Sequence, residues 1–237
     1  MTHLWRIEME EKQLPTKYNF GDLNLELPQN QNLEKDEIDK INNEIINNGI
    51  IDGKGRAFID QKALPTILST DKKGATKVYV NANPNDKAQY GNNKYLSVSE
   101  TQKQICERKQ EPRDILTQEK LKQSEASLKA IIEAPQLEKE RQLEAERINR
   151  DRGLLTAKKM KENNITTDQL TGKELKKPRG HHIERVADNP REARNLDNIV
   201  IVEDDIHDDI HQNNAESKEK LKEYCEKNNF NIPDELK

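Results

Sequence analysis

Gly180-His181-His182 and His207-Asp208-Asp209-Ile210-His211 enclose the run Asn195-Leu196-Asp197-Asn198-Ile199-Val200-Ile201-Val202. Four of the five histidines in the chain fall within these few dozen residues. Imidazoles are the commonest neutral metal ligands and titrate near neutral pH. Their clustering in a chain otherwise almost free of histidine reads as a metal-dependent catalytic site. The local pattern predicts a strand over residues 180–186 that holds the His pair. A polar loop with Pro190 follows over 187–196, and a second strand over 198–202. Residues 203–212 then read as a helix with acidic residues in its first turn, which suits the helix dipole.

The spacing constrains the geometry. His207 and His211 are four apart, so on a helix they share one face and both reach one metal. His181 and His182 are neighbours on a strand, so their side chains point to opposite faces. One of them completes a three-histidine site, and the other stands beside it, free to accept a proton. Asn198, at the start of the second strand, is placed to cross to the first and hold that free histidine in orientation.

Gly180-His181-His182, Leu196-Asp197-Asn198-Ile199 and His207-Asp208-Asp209-Ile210-His211 together resemble the HNH, or ββα-metal, nuclease superfamily. The likeness is to the colicin-type DNases and to polymorphic-toxin nucleases with a "GHH" signature. The spacing from Asn198 to His207 and on to His211 matches the colicin-type pattern, and the gap from His182 to Asn198 is one residue longer. The resemblance covers roughly residues 165–215. It implies that His181, His207 and His211 are metal ligands and that His182 is the general base that activates water. It also implies that Asn198 fixes the base loop. The implied cofactor is one divalent metal ion, with zinc, nickel and magnesium as the alternatives. The implied reaction is phosphodiester hydrolysis of DNA, with RNA as an alternative substrate, leaving 5′ phosphate and 3′ hydroxyl ends.

Around this site the sequence is mixed in charge. Lys173, Lys176, Lys177 and Arg179, followed by Arg185, Arg191 and Arg194, form a basic flank. It reads either as solvated surface or as a phosphate-contacting rim, with Lys176, Lys177, Arg179, Arg185 and Arg194 as the candidate nucleic-acid contacts. Glu203, Asp204, Asp205, Asp208 and Asp209 crowd the metal helix, and that charge opposes DNA unless the carboxylates point away. The leading expectation is a metal-dependent HNH endonuclease, a bacterial toxin or defence effector with an immunity partner. The alternatives are a phage or housekeeping nuclease (restriction or junction-resolving), or a non-catalytic metal-stabilised binding module.

The whole chain sets outer bounds. It has 237 residues, 32% hydrophobic and 35% charged, with three Phe and one Trp. That composition favours modest folded units over one large core. A net charge of −4 gives no global attraction for a polyanion, so nucleic-acid binding has to come from local patches. Cys106 and Cys225 form no CxxC pair, which excludes a cysteine zinc knuckle and offers no disulfide framework. That fits a reducing cytoplasm. No apolar stretch approaches membrane-spanning length. The beginning, MTHLWRIEMEEK, is acidic and lacks the apolar segment of an ordinary signal peptide, so delivery into a target cell would need another route.

The expected fold class is α+β: a C-terminal ββα-metal nuclease domain preceded by long charged helices and a small N-terminal α+β module. Residues 1–35 read as extended or partly disordered. Residues 36–100 read as the small module, with a helix over 36–48 on Ile38, Ile41, Ile45 and Ile46, stopped by Gly49. Strands are expected around 56–59, 66–68, 77–80 and 95–98. Residues 101–164 read as a helical linker, solvated on most faces. Pro135 begins or kinks a helix there, and Gly153 ends one. Residues 165–237 read as the nuclease domain, closing with a helix near 215–228.

Overall fold

The computed structural model describes residues 16–237. The reading of residues 1–35 as extended or partly disordered falls partly on residues 1–15, which lie outside the described residues. The described chain is α+β with antiparallel sheets, and it divides into two compact units, Met1–Glu144 and Ala145–Lys237.

The first unit is built on a five-stranded sheet. Its strands are β1 (Thr16–Asn19), β2 (Gly49–Asp52), β3 (Ala57–Asp60), β4 (Lys87–Tyr90) and β5 (Asn93–Ser97). Their order across the sheet is β1-β2-β3-β5-β4, every pairing antiparallel. Helix α1 (Lys35–Asn48) buries Ile38, Ile41 and Ile45, the three- and four-residue spacing of one helical face. Gly49 does follow this helix, but not as a left-handed cap. Its φ is −104°, and an added Cβ would lie 2.0 Å from the Phe20 ring. Glycine is required there by the close approach of Phe20.

Two expected strands are helical instead. Leu64, Ile67 and Leu68 are fully buried at helical spacing in and beside α2 (Leu64–Ile67), which has proline in its first turn. In α3 (Lys72–Asn81), the Asp71 carboxylate accepts a hydrogen bond from Gly74 N at 2.7 Å, a cap that fixes the helix start. Of its β-branched residues, Val78 packs against the main core and Val80 is exposed.

The expected linker is also corrected. Helices α4 (Val98–Lys109) and α5 (Ile115–Ile132) pack against each other, and α5 packs on α1. They supply Ile105, Leu121, Leu128 and Ile131 to the main core. The reason lies in buried polar residues that a sequence count assigns to solvent. Gln123 Nε2 donates to Pro28 O at 2.7 Å and to Asn42 Oδ1 at 3.0 Å, and Ser127 Oγ donates to Asn42 Oδ1 at 2.7 Å. These bonds satisfy the buried groups and tie α5 to α1 and to the segment before it.

Pro135 is the first residue of α6 (Pro135–Glu162), and the boundary between the two units falls within this helix. Gly153 does not end it. The helix continues through this exposed glycine, whose cost of about 1 kcal/mol is small beside the flanking helix formers.

The second unit centres on a two-stranded antiparallel ladder, β6 (Pro178–His182) and β7 (Ile199–Glu203). Helix α7 (Asp204–Gln212) follows directly, then α8 (Lys218–Lys227). The apolar run of β7 is buried on both faces. Val200 and Val202 join Leu170, Ile183, Ile210, Leu221, Tyr224 and Leu236 in one cluster. Ile199 and Ile201 join Leu155 of α6 in another. Gly180 lets α6 approach: its N–H donates to Thr156 Oγ1 at 3.1 Å, and a Cβ there would lie 2.8 Å from the same oxygen. Buried Asp168 fastens the entry to the ladder, accepting from Leu170 N, Thr171 N and Glu203 N at 2.7–2.9 Å. Lys159, fully buried on α6, is ion-paired with Glu235. Among the described residues no helix is long and apolar enough to cross a membrane.

Candidate metal centre and its neighbours

The ladder register assigns each histidine of the pair to a face. His181 pairs with Val200 and His182 with Ile199. Residues directly opposite on an antiparallel ladder share a face. His181 therefore lies on the side of Val200 and α7, and His182 on the side of Ile199 and α6.

On the α7 side the three imidazoles converge. Ring centroids lie 5.5 Å apart for His181 and His207, 5.2 Å for His181 and His211, and 4.6 Å for His207 and His211. One nitrogen from each falls within 4.8 Å of the other two, close enough to hold one metal ion. The donor set fits such an ion on a second ground. His181 Nε2 and His207 Nδ1 are buried without a hydrogen-bond partner. An unsatisfied buried polar atom costs about 1–3 kcal/mol, and two in one cluster point to a shared electrophile as the missing partner. The nearest carboxylate to His207 Nδ1, Asp208 Oδ1 at 3.6 Å, is too far for a hydrogen bond. Burial, reinforced by the neighbouring imidazoles, pushes the His181 pKa down to about 3. His207 is also lowered, first by burial and then by Arg179. Both are thus neutral at pH 7, the form in which imidazole ligates.

This depression has a consequence for the metal-free chain. The unfolded chain takes up a proton at His181 near the ordinary pKa of 6.5, whereas the folded chain does so only near 3. Stability is therefore fully present above about pH 6.5 and declines as the pH falls toward 3, by about 5 kcal/mol at most. In chelator, hydrogen-exchange protection of the β6 and β7 amides, corrected for intrinsic rates, is expected to fall over that window. His181→Leu is expected to flatten the slope. Equal slopes in both proteins would remove His181 as its source.

His182 is half-buried on the other face, and its Nε2 lies 2.9 Å from Ala193 O. A carbonyl only accepts, so Nε2 carries the hydrogen and Nδ1 is left with its lone pair. Burial lowers the His182 pKa, with a further push from Arg152, against the opposing hydrogen bond to Ala193. The imidazole is kept neutral and able to take up a proton.

The Asn198 side chain makes no hydrogen bond to His182. It is 7% exposed and pins the intervening loop: Oδ1 accepts from Glu184 N at 2.8 Å, while Nδ2 donates to Glu184 O at 3.1 Å and Glu192 O at 3.3 Å. Ala193, whose carbonyl holds His182, is the next residue. Asn198 thus acts on His182 through the loop and not directly as expected. On the nuclease reading of the sequence, Asn198→Ala is expected to lower cleavage about 10–100-fold without changing metal binding. Unfolding of the second unit with no separable loss of turnover would leave the residue a purely structural role.

Three arginines of the basic flank are already engaged. Arg179 pairs with Asp204 at 2.7 Å, Arg185 with Glu216 at 3.2 Å, and Arg194 with Asp151 at 3.2 Å. Lys176 and Lys177 are exposed, and their backbone N–H groups donate to the Glu203 carboxylate at 2.7 Å. The acidic crowd is correspondingly occupied, since Tyr224 Oη also donates to Asp209 at 2.5 Å. The carboxylates of Glu203, Asp204 and Asp209 thus have positive or hydrogen-bonding partners.

No family model, curated protein or solved structure matches this chain.

Two groups at the site escape sequence reasoning. The Ala193 carbonyl is a main-chain atom, invisible in a one-letter code. Glu216 accepts from His211 Nδ1 at 2.5 Å, but one glutamate in an acid-rich stretch carries no distinguishing signal.

Proposed function

We propose that this chain is a metal-dependent endonuclease of the HNH type that hydrolyses DNA phosphodiesters. One observation carries the reading. The β6–β7 register puts His181 into a three-imidazole cluster with His207 and His211, and it puts the adjacent His182 on the opposite face with Nδ1 open to a proton.

His181, His207 and His211 would hold one divalent cation, zinc, nickel or magnesium, which when bound supplies positive charge at the scissile phosphate and the leaving 3′ oxygen. His182 Nδ1 takes a proton from the attacking water as its oxygen bonds to phosphorus and the P–O3′ bond breaks. The leaving 3′ oxygen takes its proton from solvent. The Ala193 carbonyl keeps the His182 tautomer correct and stabilises the imidazolium that forms. Asn198 holds the loop that presents this carbonyl. Lys176, Lys177, Arg179, Arg185 and Arg194 supply a rim for backbone phosphates, with Arg179 and Arg194 exchanging carboxylate partners for phosphate oxygens. A destructive activity of this kind suits a bacterial toxin or defence effector restrained by an immunity protein. Action in the cytoplasm of a target cell follows from that role.

A plasmid-nicking assay on the full chain tests the reading. Nicking is expected with added zinc, nickel or magnesium and is expected to disappear with chelator. A labelled single-stranded RNA in parallel decides between DNA and RNA. A chain that binds metal tightly and cleaves neither would instead be a metal-stabilised binding module.

A further inference from the structure

We propose that Glu216 is a positioning residue of the metal centre, one that holds the His211 imidazole in its Nδ1–H form and leaves Nε2 as the ligating nitrogen. The inference rests on the reading of His181, His207 and His211 as ligands and extends it to a residue outside the motif. Of the three imidazoles, His181 is enclosed and His207 is 13% exposed, whereas the His211 side chain is 45% exposed. Packing alone leaves the His211 ring free to rotate and to exchange tautomers, so an outside holder is needed. Glu216 Oε1 supplies it at 2.5 Å from His211 Nδ1.

The carboxylate is fixed in advance by its neighbours. Ala215 is buried, with its N–H donating to Ile210 O at 3.1 Å, which closes α7. Ser217 caps α8, accepting from Lys220 N at 3.3 Å. Glu216 is thus set between two anchored residues. Its second oxygen, Oε2, lies 3.2 Å from Arg185 Nε, so the same carboxylate ties the metal helix to the segment that follows His182. A carboxylate on the outer nitrogen of a ligand imidazole fixes ring orientation and tautomer and makes the inner nitrogen a better donor.

The test uses the full chain, with cobalt(II) as the metal probe and two readouts. Imidazole 15N shifts report the His211 tautomer in the metal-free protein, and ligand-field absorption reports cobalt affinity. In wild type, Nδ1 of His211 is expected to carry the hydrogen. In Glu216→Ala the population should move toward the Nε2–H form, and cobalt binding should weaken about 10–100-fold. Glu216→Gln keeps an acceptor oxygen and should lose less than about tenfold. If Glu216→Ala does not fold, Glu216→Gln carries the test through the same two readouts. Glu219→Gln, an exposed charge loss on α8, should change neither. An unchanged tautomer, with cobalt affinity in both Glu216 variants equal to wild type, would overturn the proposal and leave the three-histidine site standing. Absence of cobalt binding in wild type and variants alike would overturn the site itself.

Discussion

Replacing His182 by alanine is expected to lower phosphodiester cleavage by about 10²–10⁴-fold, with metal content unchanged. The separation follows from the ladder. His182 lies across from Ile199, on the face opposite the three converging imidazoles, and its Nε2 is committed to Ala193 O at 2.9 Å. On the proposed mechanism its loss removes the proton acceptor and leaves His181, His207 and His211 in place. Metal retained with cleavage lost, measured on the same preparation, identifies the base. Undiminished cleavage by His182→Ala would sink the assignment. Parallel loss of metal would make His182 a ligand.

The opposite signature is expected for His207→Ala. Metal affinity should fall by more than the ~10–100-fold typical for loss of an outer partner, and nicking should drop to that of the chelated wild type. The buried Nδ1 of His207 has no hydrogen-bond partner, so its removal carries no hydrogen-bond penalty in the metal-free fold. Melting of wild type and His207→Ala should therefore be similar in chelator and diverge when metal is added, because binding free energy adds to folding free energy only where the site is complete. Equal metal-induced stabilisation of both proteins would show that His207 is not a ligand.

How far these features could be read in the sequence depended on where their signal lies. The ladder and α7 were legible because β7 is a dense apolar run and because His207 and His211 are four apart. Alternation along a strand sends only one of His181 and His182 toward that pair; that it is His181 was implied by the resemblance, and the ladder register is what assigns it. Helix α1 was legible from Ile38, Ile41, Ile45 and Ile46, of which the first three are buried and Ile46 packs at the core's edge. The packing of α4 and α5 was not, because Gln123, Ser124 and Ser127 are buried where composition assigns them to water. Helix α3 was misread because Val78-Tyr79-Val80 has strand-like propensity, and the Asp71 cap outweighs it. At the site, the role of Asn198 was legible only in outline. Its partners are the backbone groups of Glu184 and Glu192, which spacing cannot reveal.

The contact between His182 and Ala193 also bears on how such a site can vary through descent. The acceptor is a peptide oxygen, which every amino acid supplies equally, so no ordinary replacement of the Ala193 side chain deletes it. Selection on this contact falls on the contour of the loop from Glu184 to Ala193, and little of it falls on the letters within. Asn198 holds that contour by gripping peptide groups at both ends. Apart from Arg185, whose guanidinium meets Glu216, the intervening residues are therefore free to drift as long as the loop keeps its length and its grip. Related chains would then share two histidines and an asparagine across a stretch with little else in common.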